Sequence, residues 1–175
     1  MKKLTLITAL IILVGCNLQR EVQLPHTTLN EITEVQDVSP VYIFYDEVND
    51  SAIFNRKNMI STTNWLVNID KRLTLKQILP HLQYLQEKRN KDGMHKNENA
   101  RNYFTCFNPE TKGLSFIDFT DIVYIEQSIK GDLSDSIILQ IESNASFQDY
   151  ITLKSELLQL NTDSLSVSLR EFIHN

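Results

Sequence analysis

The chain has 175 residues, with 17 Lys and Arg against 22 Asp and Glu, 42% apolar side chains and a formal charge of −5. That is one domain's worth of chain, too apolar and too balanced in charge to stay disordered. Four glycines exclude collagen-like and glycine-linker architectures, and two cysteines exclude both a disulfide-stapled mini-protein and a four-cysteine zinc site.

Lys2 and Lys3 form a basic start, and residues 4–14 are an apolar run softened only by Thr5, Thr8 and Ala9. The run is too short to cross a bilayer as a helix and fits the apolar region of a signal peptide. Gly15 and Cys16 follow directly. Leu13-Val14-Gly15-Cys16 resembles the lipobox of bacterial lipoproteins. The resemblance implies cleavage between Gly15 and Cys16, with Cys16 becoming the lipidated first residue. A small residue suits a cut made within the bilayer, and a thiol is the one side chain there able to form a thioether to diacylglycerol. Two or three acyl chains exceed what a single chain supplies for anchoring. Removal of residues 1–15 takes away Lys2 and Lys3 and leaves 15 basic against 22 acidic side chains, a net of −7. Nucleic acid is not expected as a partner of so acidic a body.

Residues 16–39 read as the lipidated cysteine and a polar tether, whose contour is at most about 75–80 Å. A single globular domain is expected over 40–175. Val41-Tyr42-Ile43-Phe44-Tyr45 reads as a strand, and Ser51-Ala52-Ile53-Phe54 returns after the Asn49-Asp50 turn as a hairpin. Trp65-Leu66-Val67-Asn68-Ile69 is the next strand. Residues 73–90 make the clearest helix. Thr74 and Gln77 form a capping-box pattern, and Leu75, Ile78, Leu79, Leu82 and Leu85 share one face. Pro80 predicts a kink or a later start, and Gly93 a stop. Residues 102–107 and 113–120 read as a second hairpin about Asn108 to Gly113. Residues 121–127 and 136–143 read as a third about Lys130-Gly131-Asp132-Leu133. Residues 146–160 fit either a helix capped by Ser146 and Asp149 or a strand. Leu165, Val167 and Leu169 alternate with serines as a strand. No internal repeat stands out. The fold class expected is α+β, a mainly antiparallel sheet built from hairpins with one or two helices packed on one face.

After Gly15, glycine occurs only at 93, 113 and 131, so no glycine-rich phosphate loop is possible. The H-E-x-x-H and G-x-S-x-G motifs are absent. His26 falls in the tether and His174 near the C-terminus. His95 with Glu98 reads as a solvated loop and His81 as a packed helix histidine. With Cys16 acylated, Cys106 has no partner and reads as a buried thiol in an apolar strand. Asp118, Asp121, Glu126, Asp132 and Asp135 read as a solvated hairpin rim. Strand parity sets Asp118 and Asp121 on opposite faces, against a paired-carboxylate centre. Lys88, Arg89, Lys91, Lys96 and Arg101 suit a helix C-terminus. No catalytic residue, cofactor or metal ligand is assigned.

The stretch Leu66-Val67-Asn68-Ile69-Asp70-Lys71-Arg72-Leu73-Thr74, followed by the amphipathic helix, resembles the periplasmic domain of ExbD/TolR-type transport-coupling proteins. That resemblance implies a ferredoxin-like strand order, a dimer and a membrane partner complex. It carries no functional residue onto this chain, because that family is anchored by a transmembrane helix bearing an aspartate and this chain has a lipobox instead. The function expected is a membrane-anchored bacterial envelope lipoprotein with its body in the periplasm or outside the cell. It would be held by the lipid bilayer through Cys16 and would bind an envelope protein partner without being an enzyme. Tyr42, Tyr45 and Trp65 are its candidate contact residues. An envelope hydrolase with a dispersed active site, using His81 or His95 with Cys106 or an aspartate, and a transport-coupling component are the alternatives.

Overall fold

A computed structural model describes residues 20–91, 97–126, 136–160 and 166–174. The first sheet begins with β1 (Val38–Asp46) and β2 (Ser51–Asn55), an antiparallel hairpin in register from Tyr42 against Asn55 to Asp46 against Ser51. Its turn is built by Asp46, whose carboxylate accepts from the Val48 amide at 3.0 Å and from Asn49 Nδ2 at 2.8 Å. Asp50 supplies the positive φ of 45°. β3 (Asn64–Ile69) lies on the other side of β1 and runs parallel to it. α1 (Leu75–Asn90) then crosses over, so β4 (Asn102–Asn108) is parallel to β3, and β5 (Gly113–Asp118) folds back antiparallel on β4. The order is β2-β1-β3-β4-β5.

The second half contributes β6 (Val123–Ile125), β7 (Ser136–Ile137), β8 (Gln140–Glu142), α2 (Phe147–Gln159), β9 (Ser166–Val167) and β10 (Arg170–His174). β6, β10 and β8 form a parallel three-stranded sheet in that order, and β7 pairs parallel with β9.

The fold is therefore α+β, but its sheets are mixed rather than mainly antiparallel. The physical reason lies in the crossovers. A helix between two neighbouring strands returns the chain in the same direction, so α1 and α2 each impose a parallel pair. The first two hairpins form. The third does not, because β6 pairs with β10 instead of with the strands that follow it; its turn at 130–133 lies outside the described residues. The ferredoxin-like order is not seen either, since β3 and β4 bond directly across α1 where that topology would split them.

α1 starts at Leu75 with the expected capping box: Thr74 is the N-cap, its side chain accepting from the Gln77 amide while the Gln77 side chain reaches back to the Thr74 amide. The helix runs through Pro80 to Asn90, and its C-cap is Lys91; Gly93 lies outside the described residues. Residues 146–160 resolve as helix, because Ser146 and Asp149 close a second capping box. Of the strand read over 164–169, Ser164 and Leu165 lie outside the described residues, Ser166 and Val167 form β9, and the separate strand β10 begins at Arg170, whose amide donates to Ser168 Oγ.

Leu75, Ile78, Leu79, Leu82 and Leu85 of α1 and Phe147, Tyr150 and Ile151 of α2 are buried against Trp65, Val67, Ile69, Phe104 and Cys106. Phe104 is the hub. It stacks on Phe119 with ring centroids 3.9 Å apart, and meets Phe147 at 5.3 Å and Tyr150 at 5.9 Å edge-on. The sheet face away from the helices carries Tyr42, Leu66, Asn68 and Tyr103, as the register requires.

The two helix starts repeat one design. The Leu75 amide donates to the Ala145 carbonyl (3.0 Å) and the Phe147 amide to Leu73 (2.7 Å); Lys76 donates to Ser143 (2.7 Å) and Gln148 to Lys71 (3.2 Å). One sequence offset relates every member of these pairs. Each helix thus satisfies its first orphan N–H groups on the loop that leads into the other. This approximate two-fold relation is a structural repeat that the side-chain pattern does not announce.

The segment 23–32, read as part of the tether, lies on the body. Pro25, Thr27 and Leu29 are buried. The Gln23 amide donates to Asp70 Oδ2 (3.2 Å), and the Lys71 amide donates to the Gln23 carbonyl (2.8 Å). Phe107 donates to Pro25 and accepts from Thr27, and Ser115 Oγ donates to the Leu29 carbonyl (2.7 Å). The folded part thus begins near Gln23 rather than at Pro40. Three alternating positions, one of them a threonine, are too faint a pattern to register as a strand.

Candidate functional site

α1 ends beside the chain that links β5 to β6, and a cleft of about 940 Å³ opens between them. Gln83, Gln86, Glu87, Asn90 and Lys91 line the helical wall, and Thr120 to Tyr124 line the other. The apolar stripe of α1 points into the core, so the polar stripe that includes these residues is what the cleft receives. Gln86 Nε2 donates to the Ile122 carbonyl and ties the two walls together. Gln83 Nε2 reaches Glu126 at 3.3 Å.

Behind this cleft lies a buried polar chain. Tyr124 lines the cleft, and its hydroxyl sits 3.4 Å from that of Tyr150. Tyr150 donates to Glu171 Oε2 at 2.6 Å, which leaves Tyr124 as the donor to Tyr150. The other Glu171 oxygen pairs with Lys154 Nζ, and both side chains are nearly inaccessible. Burial, reinforced by the Glu171 charge, pushes both phenols well above their usual range. They stay protonated and act as hydrogen-bond donors, not as acids or bases. The network therefore fixes the position of the Tyr124 ring, while the cleft itself offers amides.

None of these four residues is a candidate site residue from the sequence alone. Lys154 stands four residues after Tyr150 on the buried side of α2, and a lysine in an apolar stripe is the sequence signal of a hidden partner.

The structure disperses most sequence-derived candidates. Cys106 is fully buried, and burial alone pushes its thiol up to about 12. His81 packs on Phe54 with ring centroids 5.1 Å apart, and burial together with Arg56 lowers its pKa. His26 lies edge-on to Phe107, and the His174 carbonyl accepts from Ser143. Glu98 is exposed. His95, Lys96, Asp132, Asp135 and Cys16 lie outside the described residues.

Asp118 and Asp121 do come together, through Arg101: Nε reaches Asp118 at 2.8 Å and an NH₂ group reaches Asp121 at 2.7 Å. The parity argument does not apply, because β5 ends at Asp118. Of the basic stretch, Lys88 and Arg89 do fall in the last turn of α1. Arg89 turns inward, 3.7 Å over the Trp65 ring, and donates to Asn102 Oδ1 and to the Ser61 and Thr63 carbonyls. Burial pulls its pKa down to about 10.

Trp65 is buried, with Nε1 donating to the Ile60 carbonyl at 2.7 Å. Tyr45 donates to Asp50 at 3.0 Å beneath the Arg72 guanidinium. Tyr42 lines a surface hollow and stacks on Phe44. Among the described residues no group of three His, Cys, Asp or Glu is placed to hold a metal ion, and no helix is long and apolar enough to cross a membrane. No family model, curated protein or solved structure matches this chain.

Proposed function

We propose that this chain is a bacterial envelope lipoprotein whose body is a non-enzymatic binding or scaffold module. The observation that carries the reading is Leu13-Val14-Gly15-Cys16 placed directly behind a basic start and an apolar run. Residues 1–15 act as the signal peptide, and Cys16 holds the body to a lipid bilayer. The body then works in the periplasm or outside the cell on an envelope protein partner.

The cleft between α1 and the β5–β6 connection supports the binding half of the reading. Its walls present the amides of Gln83, Gln86 and Asn90, which recognise carbonyl and hydroxyl groups by hydrogen bonds. Of its two carboxylates Asp121 is already engaged by Arg101 while Glu87 stands exposed on the helical wall, and Gln83 and Gln86 keep spare donor and acceptor capacity beyond their bonds to Glu126 and Ile122. The buried network holds its tyrosine in one position, which lowers the ordering cost of binding.

The test is affinity capture of the acylated protein from crosslinked membranes, in the wild type and in the Gln83→Ala/Asn90→Ala double variant. Recovery of one defined envelope assembly by the wild type, lost in the double variant, is the expected result. Hydrolysis of wall fragments by the purified mature body would overturn the non-enzymatic reading.

A further inference from the structure

The distance between the anchor and the first pinned residue is short. Cys16 precedes Gln23 by seven residues, which span at most about 25 Å when fully extended. Gln23 is fixed at both its amide and its carbonyl to the Asp70-Lys71 corner at the end of β3. The six residues of β3 separate that corner from the Asn64 end of the sheet by about 20 Å.

Two further features share the Asp70 end. The β1–β2 hairpin continues past the Ile43 and Ile69 register and ends in a turn whose Val48 side chain is 91% exposed. A hollow of about 520 Å³ opens beside it, lined by Arg20, Glu21, Val22, Leu24, Tyr42 and Asn68. Aliphatic side chains with a tyrosine and an arginine suit the boundary between headgroups and acyl chains. Arg20, Lys71 and Arg72 stand there against Glu21, Asp46, Glu47 and Asp50, so attraction to anionic lipid contributes nothing and apolar contact must carry the docking.

We infer that the Asp70 end of the domain is a bilayer-facing surface, with the Val48 turn and the Tyr42 hollow held at the headgroup layer and the Asn64 end directed away. This rests on the lipid-anchor reading and deepens it. The module works close to its membrane, within the roughly 25 Å that seven residues allow, instead of on the reach of a 23-residue tether.

The experiment uses the full acylated protein in phosphatidylcholine vesicles carrying a headgroup-region nitroxide lipid. A bimane fluorophore is placed at Val48→Cys or, on the opposite end, at Ile60→Cys, where the side chain is 56% exposed. Cys106 is buried and stays unlabelled. Fatty-acid content is measured on the same preparations. Strong quenching at position 48 with none at position 60 is expected. Equal quenching, or more at position 60, on acylated protein overturns the orientation and leaves the anchor reading standing. Protein free of acyl chains overturns both.

Discussion

Thr74 and Ser146 face each other across an antiparallel bridge, each the N-cap of its own helix. The contact joins the two halves of the molecule at the point where each helix is electrostatically most in need of acceptors. Thr74→Ala and Ser146→Ala should each cost about 1 kcal/mol. Because the caps share a neighbourhood, the double variant should depart from the sum of the singles by at least about 0.5 kcal/mol. Urea unfolding of the three variants measures this; strict additivity would mean that the two helix starts are independent.

Asp70 ties the N-terminal strap to the β3–α1 corner. It is fully buried, paired bidentately with Arg72, and accepts the Gln23 and Arg72 amides. Burial opposes its charge, but the Arg72 guanidinium and these amides overcome it and hold the carboxyl below the usual range. The folded state therefore binds this proton less readily than the unfolded chain. The stabilisation is complete above the unfolded value of about 3.9 and is lost as pH falls through the lower folded value. Asp70→Asn should cost about 3 kcal/mol, the low end for a buried pair because Arg72 is partly solvated. It should also flatten the acid limb of the stability profile.

His81 sets a second, milder slope. Burial first, then Arg56, lowers its pKa. Its contribution is full above the unfolded value of about 6.5 and declines as pH drops below it. His81→Phe keeps the ring contact with Phe54 and should remove that slope between neutral pH and the Asp70 region. A profile unchanged by the substitution would contradict this placement.

Lys154 and Glu171 form the charged end of the buried network. Glu171→Gln leaves the lysine buried without its counter-charge and should cost about 3–5 kcal/mol. The joint replacement Lys154→Met/Glu171→Leu removes both charges but also the acceptor of the Tyr150 hydroxyl, and should restore part of that loss. Thermal unfolding of the single and double variants decides the matter. A double variant as unstable as the single would mean that the pair is held for packing that the apolar residues cannot reproduce.

Cys106 should be silent in the native state. Its thiol is fully buried and pushed up to about 12, so the reactive thiolate is scarce and out of reach at pH 8. An aromatic disulfide reagent should react only after denaturant is added. Reaction in native buffer would show that β4 opens and would contradict the burial.

The parts legible in the sequence are those governed by neighbours along the chain. Thr74 with Gln77, and the spacing from Leu75 to Leu85, specify α1 because cap and stripe are local properties. The Asp46 and Asn108 turns announce their hairpins for the same reason, each carboxylate or amide accepting from its own following backbone. Parallel pairing is different. Nothing local to β3 or β4 states that they adjoin, since that follows only once α1 carries the chain back. β6 likewise finds β10 across the whole second half. Thr27 reaches Ser155 on α2 at 2.8 Å, a distant partner that a polar residue in a polar stretch cannot advertise. The cleft is illegible for a related reason, because its amides look like any solvated helix face until the β5–β6 connection is laid beside them.

The central claim is that Cys16 carries the lipid that places this body at a bacterial membrane. Metabolic labelling with a clickable fatty acid, followed by the intact mass of the mature chain, tests it most directly. The account predicts label on the wild type, none on Cys16→Ser, and a mature chain whose first residue is an acylated Cys16. An unlabelled wild-type chain, or one cut at another position, would contradict it.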